Sequence, residues 1–184
     1  MRNVKNQSGF SLVELIVAMS VMAIGIVGAV ATQATAKRSG VDASQRSLAV
    51  FFAHDMLERM RLNKTQIDAY QGTAYGTGSF SVSNQVDCSA NNYCNPAQLA
   101  LYDTFQWHLN LAGRTVINSE GSRVGGLLKP TGCVANNNGY VTIVVSWLGR
   151  QATTDAADNG STFEKNCGTV SDKRRQVTLS AHVY

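Results

Sequence analysis

Proline is scarce in this 184-residue chain: there are two, and the first is Pro96. Charge is missing from one long stretch, because no acidic or basic residue occurs from Leu15 through Ala36. Proline breaks helices more strongly than any other residue, and about 20 apolar residues are enough to cross a bilayer as a helix. The two absences therefore predict one uninterrupted helix from Phe10 to about Asn63, whose first part has the length of a membrane span.

Recognisable catalytic patterns are also absent. The sequence contains no G-x-S-x-G nucleophile elbow, no H-E-x-x-H zinc motif and no phosphate-binding loop. Its three histidines, His54, His108 and His182, are expected on three different elements, so we interpret each as a structural or exposed residue. The sequence therefore predicts neither an enzyme nor a cofactor.

The charge pattern is unlike that of a nucleic-acid-binding protein. There are 16 basic and 12 acidic residues, a formal charge of +4 without a dense basic stripe. The single basic run, Lys173-Arg174-Arg175, is interpreted as the solvated start of a strand rather than as a phosphate site. We therefore expect no nucleic-acid partner.

The four cysteines all follow the apolar stretch, and none forms a C-x-x-C pair. An even number of cysteines after an export signal is typical of disulfides formed in an oxidising compartment, and no histidine has zinc-finger spacing. Three pairings are possible. We prefer Cys88–Cys94 with Cys133–Cys167, because cysteines close in sequence close the smallest loops at the lowest entropic cost.

The first 36 residues allow three interpretations. A basic start, an apolar stretch and an A-x-A site at residues 29–31 fit a secretory signal peptide, and the same apolar stretch fits a plain membrane anchor. Neither of these two interpretations explains Glu14, since placing a charge in the bilayer interior costs at least about 2.5–3.5 kcal/mol of insertion free energy. In the third interpretation the chain is cut between Gly9 and Phe10. Glu14 is then the fifth residue of the new chain, and its carboxylate can pair with the free amine of a neighbouring helix.

The stretch GFSLVELIVAMSVMAIGIVG, residues 9–28, resembles the class III signal of type IV pilins and pseudopilins. The resemblance implies that a prepilin peptidase cuts after Gly9, that Phe10 becomes the N-methylated first residue, and that Glu14 is the assembly carboxylate. The helix lacks the proline that many major pilins carry in this region.

The second part of the helix is amphipathic. Leu48, Phe52, Met56 and Met60 recur every four residues, with Phe51 and Leu57 beside them, and we expect this stripe to pack on the protein's own sheet. Acid-before-base pairs at i,i+4 are expected on the opposite face: Asp42/Arg46 and Asp55/Arg59. The segment RSLAVFFAHDMLERMRLNK resembles the stem of PilV-type minor pilins, as do CNPAQLALYDTFQWHLNL and RRQVTLSAHVY further along the chain.

The remaining residues predict a small mixed domain. A strand is expected at 78–86, with Phe80, Val82 and Val86 alternating, and a helix from Pro96 to Ala112, with Asn95 as N-cap and Gly113 as stop. Its apolar positions include Leu99, Tyr102, Phe105 and Leu109. Residues 140–149 and 175–184 predict two antiparallel strands joined by a long polar connection, a candidate surface for partners, whereas 72–79 are interpreted as a flexible linker.

Together these features predict an α+β, pilin-like fold with a long N-terminal helix packed on a small antiparallel, disulfide-bonded sheet. We expect a leader at 1–9, an apolar transmembrane and assembly helix at 10–36, an amphipathic stem at 37–64 and a periplasmic head at 65–184.

The resemblance implies a minor pilin that helps to initiate type IV pilus assembly in a Gram-negative bacterium. It would lie in the inner membrane before assembly and then in the pilus, beside other minor pilins, the major pilin and a tip adhesin. The alternatives are a type II secretion pseudopilin of the I class, an adhesive or DNA-binding tip head, and a soluble protein cut after Ala31.

Overall fold

A computed structural model of the protein describes residues 9, 11–81, 87–89, 92–122 and 124–184. It divides into two units, residues 1–40 and residues 41–184. The elements in chain order are α1 (Leu12–Leu62), a 3-10 helix (Lys64–Tyr70), β1 (Gly72–Tyr75), α2 (Pro96–Leu111), β2 (Thr131–Asn137), β3 (Tyr140–Leu148), α3 (Thr162–Asn166) and β4 (Arg174–His182).

The strands form one antiparallel sheet in the order β1-β2-β3-β4. The predicted pairing of the last two strands is confirmed, with Tyr140 opposite His182 and Leu148 opposite Arg174. The α+β prediction, with a long first helix and a small antiparallel sheet, is also confirmed.

Two strands were missed by the sequence analysis. Residues 72–75 were interpreted as part of a flexible linker, but they form β1, which pairs with β2. β2 itself was not predicted, although Asn138-Gly139 follows it at once and Asn-Gly is the strongest short hairpin signal. Both residues have positive φ, 51° and 85°, as a type I′ turn requires. In the strand predicted at 78–86, Phe80 lies outside regular structure, and residues 82–86 lie outside the described residues.

The core of the second unit lies between the amphipathic part of α1, α2 and one face of the sheet. The predicted helix stripe is confirmed at Phe52, Met56, Leu57 and Met60, which are all buried. The exception is Phe51, which is 62% exposed, because the helix buries the neighbouring small residues Ala49 and Ala53 instead.

The head helix α2 begins at Pro96, as predicted, and ends at Leu111, one residue before the predicted end. Asn95 and Gln98 form a reciprocal capping box, Pro96 occupies the first turn, and Gly113 follows the helix with φ of 67°. The buried face, however, contains Ala100, Asp103, Thr104, Trp107, His108 and Leu111 rather than the apolar positions noted from the sequence. Those positions, residues 99, 102, 105 and 109, are only half-buried.

The structure joins Cys88 to Cys94 and Cys133 to Cys167, which is the pairing preferred from the sequence. We call these the short-loop and the long-loop disulfide, with sequence separations of 6 and 34. The long-loop disulfide attaches the end of α3 to β2, so it fixes the connection between β3 and β4 to the sheet.

Candidate assembly site

The first turn of α1 carries the carboxylate that the sequence singled out. The backbone N–H groups of Glu14 and Leu15 both donate to the carbonyl of Ser11, at 3.0 and 3.3 Å. A carboxylate in a first turn is favoured by the positive end of the helix dipole. Gly9 is exposed, and Phe10 lies outside the described residues. The geometry therefore places Glu14 at the start of a helix, close in sequence to the expected cleavage site.

The apolar part of α1 buries none of its side chains within the protein. Every described residue from 9 to 40 is exposed, including Leu12, Ile16 and Val21. The helix is long and apolar enough to cross a membrane. A surface of this size needs lipid or other apolar helices to cover it, because contiguous exposed apolar patches on soluble monomers rarely exceed a few hundred Å².

Three hydroxyl side chains in this apolar part are satisfied within the helix itself. The hydroxyls of Ser20, Thr32 and Thr35 donate to the carbonyls four residues earlier, at 2.8, 2.9 and 3.2 Å. Glu14 has no side-chain partner among the described residues. Glu14 is therefore the one charged group of residues 11–36 available to a neighbouring helix.

The polar residues at the end of α1 form a hydrogen-bond network in the second unit. Arg59 donates to Asp55 at 3.0 Å and, across the interface with α2, to Asp103 at 2.8 Å. The other carboxylate oxygen of Asp103 accepts from the Tyr70 hydroxyl at 2.8 Å, and Asn63 bonds both that hydroxyl and the carbonyl of Pro96. Asp55, Arg59 and Asn63 recur every four residues, so they lie along one side of the chain that holds α2 and the 3-10 helix in place.

This polar network changes the acidity of its members. Burial alone would lower the pKa of Arg59, but the hydrogen bonds and negative charges of Asp55 and Asp103 raise it. The pKa of Tyr70 is also raised, first by burial and then by the hydrogen bond to Asp103. Both groups therefore keep their protons at any physiological pH, so the network is a fixed structural joint rather than a proton-transfer site.

Of the two predicted i,i+4 pairs on α1, only Asp55–Arg59 forms. The Asp42–Arg46 pair is wrong for the described residues, because Asp42 Oδ1 instead accepts from the backbone N–H of Arg150 at 2.9 Å. Gln45 donates to the carbonyl of Gly126 at 3.4 Å and accepts from the backbone N–H of Leu128 at 3.0 Å. These polar residues of α1 therefore hold head loops rather than stabilise the helix surface.

The prediction that the basic run at 173–175 is solvated is wrong for Arg174. Arg174 is 2% exposed and donates from Nε to Asp155 at 2.6 Å and from Nη1 to the carbonyl of Lys165 at 2.9 Å. Asp155 also accepts from the backbone N–H groups of Ala157 and Ser171. Arg174 thus ties the long connection to the start of β4, a contact that sequence alone could not assign.

The three histidines lie on three different elements, as predicted. His54 is exposed on α1, and His182 is exposed on β4 between the rings of Tyr140 and Tyr184. His108 is buried on α2, where its Nδ1 accepts from the backbone N–H of Gly76 at 2.9 Å. Burial, with a smaller contribution from the charge of Arg114, lowers the pKa of His108, so this histidine is held neutral as an acceptor.

Comparison with known families gives two matches that adjoin along the chain. The model for a prokaryotic N-terminal methylation motif matches residues 4–30, and the model described as type IV pilin Tt1218 matches residues 31–105. No curated protein and no solved structure matches the chain. The matched residues include the apolar helix, Glu14, the amphipathic stem and the first half of α2. This chain is therefore a type IV pilin-like protein, of the α+β pilin-like architecture.

Proposed function

We propose that this protein is a minor pilin that helps to initiate type IV pilus assembly and is incorporated into the pilus. The observation that carries the proposal is Glu14, a lone carboxylate in the first turn of an apolar helix whose side chains are all exposed. Such a helix associates with others through apolar packing that is poorly specific. A charge that must be paired in apolar surroundings adds a fixed register.

Maturation supplies the partner for that charge. A prepilin peptidase removes residues 1–9, and Phe10 becomes the N-methylated first residue with a positively charged amine. The amine of one subunit and Glu14 of a staggered neighbour then pair. The methylation-motif match over residues 4–30 supports this processing.

The division of the chain follows the same logic. Residues 10–36 anchor the protein in the inner membrane as a single span before assembly and pack against other minor pilins and the major pilin afterwards. Residues 37–64 join this segment to a periplasmic head at 65–184, which selects neighbouring subunits and supports a tip adhesin. The disulfides of the head fit the oxidising periplasm.

The proposal is tested by replacing Glu14 with Ala in the full chain, with Glu58→Ala as the matched control. Glu58 is an exposed glutamate on the same helix, and it forms an ion pair with Arg61 at i,i+3. We expect both variants to insert in the membrane normally. Glu14→Ala should reduce recovery of the protein in sheared pili about ten-fold or more, because an unpaired amine is left in apolar surroundings.

Recovery of Glu14→Ala in pili at the wild-type level would contradict the proposed role of the carboxylate. The intact mass of the protein from native membranes checks the processing: N-methylated Phe10 as first residue supports the pilin route, and Thr32 as first residue indicates ordinary secretion. Deletion then separates the machines. Loss of protein secretion with normal twitching would identify a secretion pseudopilin instead.

A further inference from the structure

A cavity of about 320 Å³ lies in the second unit between α1 and the end of the sheet. It is lined by Asp42, Ala43 and Arg46 of α1, by Trp147 and by Ala156, Arg175 and Gln176. Trp147 and Arg175 are directly opposite each other on β3 and β4. The cavity therefore brings side chains from the stem helix and two adjacent strands to one place.

The indole of Trp147 is the unusual group in this cavity. Trp147 is 3% exposed, and its Nε1 has no hydrogen-bond partner among the described residues. An unpaired buried donor costs about 1–3 kcal/mol, so native proteins seldom leave one without a reason. By contrast, the other tryptophan, Trp107, donates from Nε1 to the carbonyl of Phe52 at 2.9 Å. Trp147 thus lines a cavity large enough for a ligand, and its unpaired N–H is closed to solvent.

Trp147 also contacts a second cavity of about 270 Å³, which includes Lys129 and Ser146. Strand alternation assigns the indole to the first cavity. Val145 and Trp147 belong to the core cluster formed with α1, whereas Val144 packs with the long-loop disulfide on the opposite face. The cavity that includes α1 residues is the one on the indole's face of the sheet.

The charges of the first cavity favour an anion. Neither Arg46 nor Arg175 lies within 4.0 Å of a carboxylate among the described residues. Arg175 donates only to backbone carbonyls, of which that of Gln151, at 2.7 Å, is the nearest. Asp42, whose Oδ1 already accepts from the Arg150 backbone, is the single acidic residue of the lining. Two guanidinium groups and one carboxylate leave a net charge of +1.

We propose that this cavity is a carboxylate-binding site. A net charge of +1 matches a monoanion better than a doubly charged phosphate, and guanidinium groups bind planar carboxylates through paired hydrogen bonds. The indole of Trp147 lines the same cavity and therefore reports on its occupancy. The carboxylate comes either from a free small acid or from an acidic side chain of a neighbouring subunit, and both present the same group to the site.

The test uses the full chain in non-ionic detergent micelles, labelled with ¹⁵N so that its two indole N–H signals are resolved, with Trp147→Phe to assign them. Sodium acetate is titrated at constant ionic strength, with sodium phosphate and sodium chloride as parallel titrants. We expect the Trp147 signal to shift with acetate until it saturates, with a dissociation constant of about 1 mM, which is a binding free energy of about −4 kcal/mol. The Trp107 signal should stay in place. Phosphate and chloride should bind more weakly.

Arg46→Gln is the decisive variant, because Arg46 is exposed and its loss leaves the fold intact. It should weaken acetate binding about ten-fold, the effect of losing one charge-assisted hydrogen bond. Lys129→Gln is the matched control, since it removes a cation from the second cavity and should leave the dissociation constant unchanged. An unsaturable response, tighter binding of phosphate, or equal weakening by both variants would overturn the proposal.

A capped glutamate, N-acetylated and with its α-carboxyl amidated, separates the two sources of the carboxylate. Binding at least as tight as that of acetate supports recognition of an acidic side chain from a neighbouring subunit. Exclusion of capped glutamate while acetate binds supports a free small acid.

Discussion

Of the ion pairs between described residues, the one that joins Asp155 and Arg174 is the most deeply buried, with side-chain exposures of 7% and 2%. The Arg174 guanidinium otherwise contacts only backbone carbonyls of residues 165, 167 and 168. Replacing Asp155 with Ala therefore leaves a buried guanidinium without a counter-charge. We expect the free energy of unfolding to fall by about 3–5 kcal/mol, the usual cost of breaking a buried pair from one side.

The matched control is Asp158→Ala, an exposed aspartate of the same connection, which should change the free energy of unfolding by less than about 0.5 kcal/mol. The double variant Asp155→Ala, Arg174→Met removes both charges. It should be more stable than Asp155→Ala alone, since an apolar side chain of similar length replaces the stranded guanidinium. Urea unfolding of the full chain in micelles, followed by tryptophan fluorescence, measures all three.

The same pair predicts a pH dependence. Burial tends to raise the pKa of Asp155, but hydrogen bonds from Arg174 and from two backbone N–H groups, with the Arg174 charge, hold it below its usual range. A lowered folded-state pKa contributes stability that is fully present above the unfolded pKa of about 3.9 and is lost as the pH falls through the folded pKa. Asp155→Ala should therefore flatten the acid side of the stability profile. If Asp155→Ala were no less stable than Asp158→Ala, or its acid profile were unchanged, the reasoning would be refuted.

Two further predictions concern the covalent and steric restraints of the head. Removing the long-loop disulfide with Cys133→Ser and Cys167→Ser should lower the free energy of unfolding by about 4 kcal/mol, against about 2.5 kcal/mol for removing the short-loop disulfide. The difference arises because the longer loop restricts the unfolded chain more. Equal losses in urea unfolding would contradict this order. Gly113→Ala should lower the free energy of unfolding by at least about 2 kcal/mol, since φ is 67° and a Cβ would overlap the Gly125 carbonyl oxygen. The control Gly78→Ala, with open space around it, should be nearly neutral. Thermal unfolding measures both variants.

Long-period patterns explain why so much of the architecture was predicted. The helix α1 was expected at about Phe10–Asn63 and lies at Leu12–Leu62, because no proline interrupts it and its apolar spacing continues for many turns. The bounds of α2 followed from a local cap, Asn95-Pro96, and a glycine stop. β3 and β4 have nine residues each, enough for alternation to be visible.

The sequence did not predict the short or weakly patterned elements. β1 has only the four residues Gly-Thr-Ala-Tyr, too few for alternation to be visible, and it becomes a strand because β2 lies beside it. The face that α2 buries was also misjudged, since its inward polar residues are paired by distant partners: Asp103 by Arg59 and Tyr70, and His108 by Gly76. No local pattern reports a partner that lies more than thirty positions away.

The sequence by itself determined the long apolar helix and the methylation motif at its start. Gly9, Phe10 and Glu14 lie within six consecutive residues, and a long apolar helix needs no tertiary contact to be recognised, so local spacing was sufficient. Only the tertiary structure decided that Arg174 is a buried anchor, and that Arg46, Trp147 and Arg175 line one cavity. Burial and the meeting of distant side chains are set by how helix and strands pack, and that packing depends on contacts between residues far apart in sequence.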